Sequence, residues 1–197
     1  AKGIDGVNAN RGANGGVLSP MKAASFSDDA KGHITRATYE TPLGALTVGF
    51  KENGSYDGIT SANRQTMVFL RGETAVVDNE KALVKGASAT GKKGEGNTIP
   101  DGTKGTSFSE SSEGQINRVT IDTPKGAITF AMNEGQYGGV VSANRDAYVW
   151  LRGEKAAETA EAKAVTGVNA NNKPGTGNTL KKEDVKGFNF TEDQFGT

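Results

Sequence analysis

Apolar and polar residues alternate with a period of two along two separate stretches of the chain. Leu46, Val48 and Phe50 are separated by small or polar residues, and residues 128–132 repeat this pattern with Ile, Phe and Met. Such alternation predicts a β-strand with one buried face. A similar, shorter pattern precedes each stretch, so a second strand is predicted just before each one.

A turn sequence joins the two predicted strands in both places. It reads Thr-Pro-Leu-Gly at residues 41–44 and Thr-Pro-Lys-Gly at residues 123–126. Proline fixes φ at the second turn position, and glycine suits the last one. We therefore predict a β-hairpin in each half of the chain.

A second strand pair is predicted after the first hairpin, at residues 58–61 and 66–71. Residues 68–70 are apolar without alternation, which is typical of a strand covered on both faces. The corresponding segment of the second half has the same character.

Short helices are predicted at residues 73–84 and 154–165. Both segments are rich in helix-forming residues, with acidic residues early and lysine late, which suits the helix dipole. Gly86 and Gly167 follow them and predict the helix ends.

The two halves resemble each other closely. Residues 34–73 align with residues 116–154, and about half of the aligned positions are identical. Self-similarity of this kind indicates an internal duplication. Phe26, Phe108 and Phe190 fall at equal spacings of 82 residues in the segments around the two copies.

The predicted fold class is mainly β with short helices. It comprises two tandem copies of a small β-hairpin-rich unit, joined and flanked by extended Gly-rich arms. The predicted boundaries are an N-terminal arm at 1–32, unit 1 at 33–85, a linker arm at 86–114, unit 2 at 115–167 and a C-terminal arm at 168–197.

Three arms with a phenylalanine flank only two units. Their polar, Gly-rich composition predicts disorder in isolation, so their order depends on packing against the chain itself or on a partner. If each arm packs on the unit after it, Phe190 has no host; if each packs on the unit before it, Phe26 has none. Phe26, Phe108 and Phe190 are therefore candidate partner contacts through strand addition. The alternative is that each arm touches whichever unit lies nearby.

Composition excludes several classes of function. Lys and Arg total 23, as do Asp and Glu, and this neutral balance is unsuited to nonspecific nucleic-acid binding. There is no cysteine for disulfides or thiolate chemistry, and His33 is the only histidine. No apolar stretch approaches the length of a membrane span. We predict no catalytic set, metal site or cofactor, and therefore a protein that is not an enzyme.

Four arginines in repeated motifs are further candidate partner contacts. Arg64 and Arg145 end the motif Ser-Ala-Asn-Arg, and Arg71 and Arg152 lie in Leu-Arg-Gly-Glu. A guanidinium group can bind a carboxylate or carbonyl of a partner. The alternatives are a turn motif with an internally paired arginine in the first case, and a structural role in the second.

This organisation, small β units with ordered extended arms, resembles that of bacteriophage virion structural proteins of the capsid decoration (cement) type. The resemblance implies a location in the virion and arms that bind neighbouring protein subunits, such as the major capsid protein or copies of the chain itself. A phage tail tube or head–tail connector protein is an alternative. Another is a secreted or cell-surface binding or matrix module, in which Trp150 and the tyrosines Tyr56, Tyr137 and Tyr148 supply aromatic platforms. An enzyme with a site between the two units is the third alternative.

Overall fold

The computed structural model describes residues 2–91, 95–172 and 176–197. Ala1, residues 92–94 of the predicted linker arm and residues 173–175 of the predicted C-terminal arm lie outside the described residues. Within these ranges the chain is mainly β with helices, as the sequence predicts.

In the described residues, nine strands form one open antiparallel sheet in which each strand pairs with the next one along the chain. The sheet does not divide between the two predicted units, because the fourth and fifth strands pair and make it continuous. The strands are β1 (Ser25–Asp28), β2 (Ile34–Thr41), β3 (Gly44–Phe50), β4 (Tyr56–Asn63), β5 (Ser107–Glu110), β6 (Ile116–Thr123), β7 (Gly126–Asn133), β8 (Gln136–Asn144) and β9 (Asn189–Glu192).

Five α-helices accompany the sheet in the described part of the chain. They are α1 (Lys2–Ala9), α2 (Arg64–Arg71), α3 (Glu73–Thr90), α4 (Arg145–Arg152) and α5 (Glu154–Ala170). Helix α1 packs on β3 and β4, and α3 packs on β6, β7 and β8. Each of these two helices therefore covers strands that follow it in the chain.

The two predicted hairpins are confirmed. Thr41 pairs with Gly44 between β2 and β3, and Thr123 pairs with Gly126 between β6 and β7. Both glycines have positive φ, 119° and 125°, a region that L side chains rarely adopt. The turn glycines thus fix the register of both hairpins locally.

The strand predicted at residues 66–71 is wrong, because these residues form most of helix α2. The Asn63 side chain caps the helix by accepting a hydrogen bond from the Thr66 amide at 2.8 Å. Met67 and Leu70 are buried whereas Phe69 is exposed, which is the periodicity of an amphipathic helix. An apolar run of this length suits a buried strand or a helix equally well, so the run alone does not distinguish between the two structures.

The predicted helix ends at Gly86 and Gly167 are also wrong, since α3 continues to Thr90 and α5 to Ala170. At Gly86 the glycine serves close packing, because a Cβ atom there would lie 2.2 Å from Cβ of Tyr137. The boundaries predicted at 85 and 167 accordingly fall inside helices.

The N-terminal segment is ordered by packing on its own chain. The amides of Gly12 and Gly16 donate to the carbonyls of Leu70 and Phe69 at 3.0 and 2.6 Å. These carbonyls belong to the last turn of α2, where a helix leaves its acceptors unpaired. Glycine is required at this crossing, since a Cβ atom on Gly15 would lie 2.0 Å from the Leu70 carbonyl oxygen.

Candidate functional site

A buried ion pair fastens β5 to helix α2. The Nε atom of Arg71 donates to the carboxylate of Glu110 at 2.8 Å, and a terminal guanidinium nitrogen contacts the other oxygen. The two side chains are only 5% and 0% exposed. Arg71 also donates to the carbonyl of Val7 at 3.3 Å. One guanidinium group thus joins α1, α2 and β5.

The second half has the same arrangement at Arg152 and Glu192. The Arg152 Nε atom lies 3.1 Å from both carboxylate oxygens, and another nitrogen donates to the carbonyl of Ala87 at 2.7 Å. The hydroxyls of Tyr137 and Tyr148 donate to the same carboxylate at 3.2 and 3.3 Å. Burial, together with the Glu192 charge, raises the pKa of both tyrosines to about 12. Strand β9 is therefore held on α3 and α4.

Arg71 and Arg152, predicted either as partner contacts or as structural residues, both have their guanidinium groups buried in these ion pairs. The glutamates that bind them, Glu110 and Glu192, were missed as functional partners. A signal was present, because an acidic residue stands two positions after each of the three evenly spaced phenylalanines; after Phe26 it is Asp28. Asp28 is exposed.

Arg64 and Arg145 pair within the chain, as the turn-motif alternative proposed. The Arg64 guanidinium donates to Glu80 at 2.7 Å and to Glu73 at 3.1 Å. The Glu80 carboxylate also accepts the amide of Gly105 at 2.8 Å. This cluster ties α2, α3 and the segment before β5 together.

The corresponding cluster in the second half predicts a pH dependence of stability. Arg145 donates to Glu161 at 2.7 Å, and this bond holds the pKa of the Glu161 carboxyl below its usual 4.5. A depressed pKa means that the unfolded chain binds the proton more tightly, so the stabilisation is present above the unfolded-state pKa and is lost as the pH falls through the folded-state pKa. The Glu161→Gln variant should therefore lose less of its urea stability than the native chain between about pH 5 and about pH 3.

The matched control for this experiment is Glu158→Gln, at an exposed position of the same helix. Its acid destabilisation should equal that of the native chain. Equal acid destabilisation in the native chain and Glu161→Gln would contradict the prediction.

The three evenly spaced phenylalanines lie in different environments. Phe108 and Phe190 are 1% and 6% exposed, whereas Phe26 is 63% exposed. Phe108 pairs with Ala62 on β4, and Phe190 pairs with Ala143 on β8 and stacks on Tyr148 with ring centroids 4.6 Å apart. Both buried residues thus have a paired strand on the side that precedes them in the chain; Phe108 pairs in addition with Val119 on β6, as Phe26 does with Ala37 on β2. Phe26 has no preceding strand, so it is the arm residue without a host.

An apolar groove of about 800 Å³ opens beside Phe26. Strand β1 is the first strand of the sheet and, among the described residues, pairs only with β2, so its outer edge has no paired strand there. Ile34 at the rim is exposed, although its counterpart Ile116 is buried. The apolar residues that line the groove are Met21, Ala23, Phe26, Ile34, Tyr39 and Phe50.

The opposite end of the sheet is open as well. Strand β9 pairs with β8 and is the last strand in the sheet order. Large apolar side chains are exposed near this end, namely Val168, Leu180, Phe188 and Phe195.

The aromatic residues considered for a binding platform pack in the interior. Tyr148 is buried against Phe190, and Trp150 is half-buried against the hydrophobic core. Tyr56 and Tyr137 are packed against the same core. These four rings do not form an exposed platform.

Within residues 2–91, 95–172 and 176–197, no group of three or more His, Cys, Asp or Glu side chains is placed to hold a metal ion. No helix in those ranges has the length and apolar character needed to cross a membrane. Comparison with protein-family models, curated proteins and solved structures found no match.

Proposed function

We propose that this protein is a non-enzymatic structural subunit of a larger assembly, built of two tandem hairpin-rich units whose flanking arms bind neighbouring protein subunits. The exposure of Phe26, against the burial of Phe108 and Phe190, is the observation that carries the proposal. An exposed aromatic residue on an unpaired edge strand beside an apolar groove is unfavourable unless another molecule covers it.

The partner at this edge is a β-strand of a neighbouring protein subunit. Strands β5 and β9 have a strand paired on the side where β1 has none. Strand addition would satisfy the free backbone groups of Ser25–Asp28 and cover Phe26 in one step. The partner subunit is another copy of this chain or a different protein of the assembly.

The resemblance to bacteriophage decoration proteins supports a place on a virion, with the major capsid protein as the neighbour. The zero formal charge and the internally paired arginines support protein partners rather than nucleic acid. A tail tube or head–tail connector role uses the same edge and remains the alternative within this class.

Substitution of Phe26 by aspartate tests the proposal. Light scattering behind size exclusion, from about 1 µM to about 1 mM, should show a mass that rises above 20.4 kDa with concentration in the native chain. Phe26→Asp should remove this rise, because it places a charge in the apolar groove without touching the buried core.

Val17→Asp is the matched control, since Val17 is an exposed apolar residue of the same segment that does not line the groove. It should associate like the native chain. Equal association of the native chain and Phe26→Asp would contradict a role for this edge. A mass of 20.4 kDa at every concentration would leave only a different protein as its partner.

A further inference from the structure

Helix α5 exposes a face that the other two corresponding helices bury. The sequence Gly-Val-Asn-Ala-Asn occurs in α1 and the residues that follow it, at 6–10, and again at 167–171. Val7 is fully buried, whereas Val168 is 50% exposed. Leu18, which follows α1, is 5% exposed, whereas its counterpart Leu180 is 45% exposed. The C-terminal helix thus presents apolar residues that nothing in the described chain covers.

Gly167 lies on this exposed face, at the position where the corresponding glycines of α1 and α3 make room for a tyrosine. A Cβ atom on Gly6 would lie 2.3 Å from Cγ of Tyr56, and one on Gly86 would lie 2.2 Å from Cβ of Tyr137. In both places the missing side chain lets a tyrosine approach the helix. A Cβ atom on Gly167 would meet nothing within 4 Å. Glycine is unfavourable inside a helix, and no contact of Gly167 with the described residues explains its presence here.

Leu180 is bound to Asn169 in the same way as its N-terminal counterpart Leu18 is bound to Asn8. The Asn8 side chain accepts the Leu18 amide and donates to the Leu18 carbonyl, both at 2.9 Å. The Asn169 side chain makes the same two bonds to Leu180, both at 2.8 Å. These two bonds therefore hold Leu180 close to Asn169, the residue after Val168, in advance of any partner.

We propose that this docking face, formed by Gly167, Val168 and Leu180, binds residues 34–71 of a second copy of the chain. The inference rests on the proposed function in that it names a second copy as the neighbouring subunit. The occupant follows from the chain itself, because strands β3 and β4 cover this face of α1 and strands β7 and β8 cover it on α3. Tyr56 of the second copy would lie over Gly167.

A polar contact fits the same occupant. Arg71 donates to the Val7 carbonyl, and Arg152 donates to the Ala87 carbonyl at the corresponding position of α3. The carbonyl of Val168 occupies that position in α5. Arg71 of the incoming copy would bind it and keep its own bond to Glu110.

Helix α1 and the residues up to Leu18 already cover this part of residues 34–71 within one chain, so docking requires residues 2–18 to leave while β1 stays paired with β2. The C-terminal segment of the other copy then takes the place of residues 2–18 through interactions of the same kind, as in domain swapping. The intramolecular segment therefore competes with the second copy, and association depends on concentration. One copy's C-terminal end binds the next copy's N-terminal half, which gives head-to-tail chains or closed rings.

The reverse exchange, in which Phe26 of one copy replaces Phe190 of another, is sterically disfavoured. A Cβ atom on Gly187 would lie 2.4 Å from Cζ of Phe190. The residue three positions before Phe26 is Ala23, which carries that Cβ atom. The C-terminal segment therefore stays on its own chain and the N-terminal segment is the one displaced.

Matched glycine substitutions test the docking face. Gly6→Leu should expel α1 from Tyr56 and so favour association, giving multiples of 20.4 kDa by light scattering at concentrations where the native chain is smaller. Adding Gly167→Leu should return the double variant to a monomer, because the new side chain meets open space in the monomer and Tyr56 in the assembly. A folded Gly6→Leu chain that stays monomeric, or a double variant that still associates, overturns the proposal.

A cross-linking experiment gives an independent result if Gly6→Leu fails to fold. The Asn10 side chain donates to the Ser112 carbonyl at 2.7 Å, and Asn171 is its counterpart in the C-terminal segment. The chain has no native cysteine. A mixture of Ser112→Cys and Asn171→Cys chains should form a disulfide-linked dimer on non-reducing electrophoresis. Glu158→Cys, exposed elsewhere on α5, should not cross-link with Ser112→Cys. Equal cross-linking by the two, or by neither, overturns the docking face.

The experiments can reject the role of the β1 edge and the docking face independently of each other. Association that is lost in Phe26→Asp but unchanged in Gly167→Leu would reject the docking face and leave the structural role in place. Association lost in Gly167→Leu but unchanged in Phe26→Asp would reject the β1 edge alone.

Discussion

Replacement of Glu110 by alanine should lower the free energy of unfolding by about 3–5 kcal/mol, the usual cost of removing one partner of a buried ion pair. The substitution leaves the Arg71 guanidinium with 5% side-chain exposure and no carboxylate to neutralise it. It also releases the strand that joins the two halves of the sheet. Since a domain is stable by about 5–15 kcal/mol, the loss is a large part of the total.

Urea unfolding measured by circular dichroism checks this value. Asp28→Ala is the matched control, because the corresponding acid of β1 is exposed, and its effect should stay within about 0.5 kcal/mol. The double variant Arg71→Met with Glu110→Leu should recover much of the loss, since it leaves no unpaired charge. A single variant Glu110→Ala as stable as the native chain would show that the pair contributes nothing.

Truncation of the three phenylalanines should give very unequal results. Phe108→Ala should cost about 3–5 kcal/mol, because it removes a fully buried ring and leaves a cavity. Phe190→Ala should fall in the same range, since that ring also loses its stacking on Tyr148. Phe26→Ala should change stability by no more than about 0.5 kcal/mol, because the ring is already in solvent.

Thermal and urea unfolding of the three variants, with the native chain alongside, measure this ranking. The set is internally controlled, because the same side chain is removed at corresponding positions of three similar segments. Equal losses at all three positions would mean that Phe26 is buried in solution, either by its own chain or by a partner. Repeating the Phe26→Ala measurement at low and high protein concentration separates these two cases.

The elements set by local chemistry were predictable. The Thr-Pro-X-Gly turns determine both hairpins, because their φ requirements and the alternation beside them involve neighbouring residues only. Helices α2 and α4 were missed, because an apolar run of that length fits both a strand and a helix. The cap at Asn63, which decides for the helix, depends on a single side-chain hydrogen bond.

The sequence predicted the candidate contact residues as groups but not the environment of each residue. The sequence identified Phe26, Phe108 and Phe190 together and left open which of them lacks a host. It also identified the four arginines, but their partners Glu80, Glu110, Glu161 and Glu192 lie 16 to 40 residues away along the chain. Spacing alone does not show such pairs.

The sequence by itself determined the similarity of the two halves, the even spacing of the phenylalanines, the hairpin turns and the absence of cysteine chemistry. The tertiary structure alone decided which ends are open. Strands β5 and β9 each pair with the strand before them, whereas β1 pairs only with β2 among the described residues; Phe26 and the end of α5 are left uncovered. The physical reason is that turns depend on adjacent residues, whereas burial depends on contacts between segments far apart in the chain.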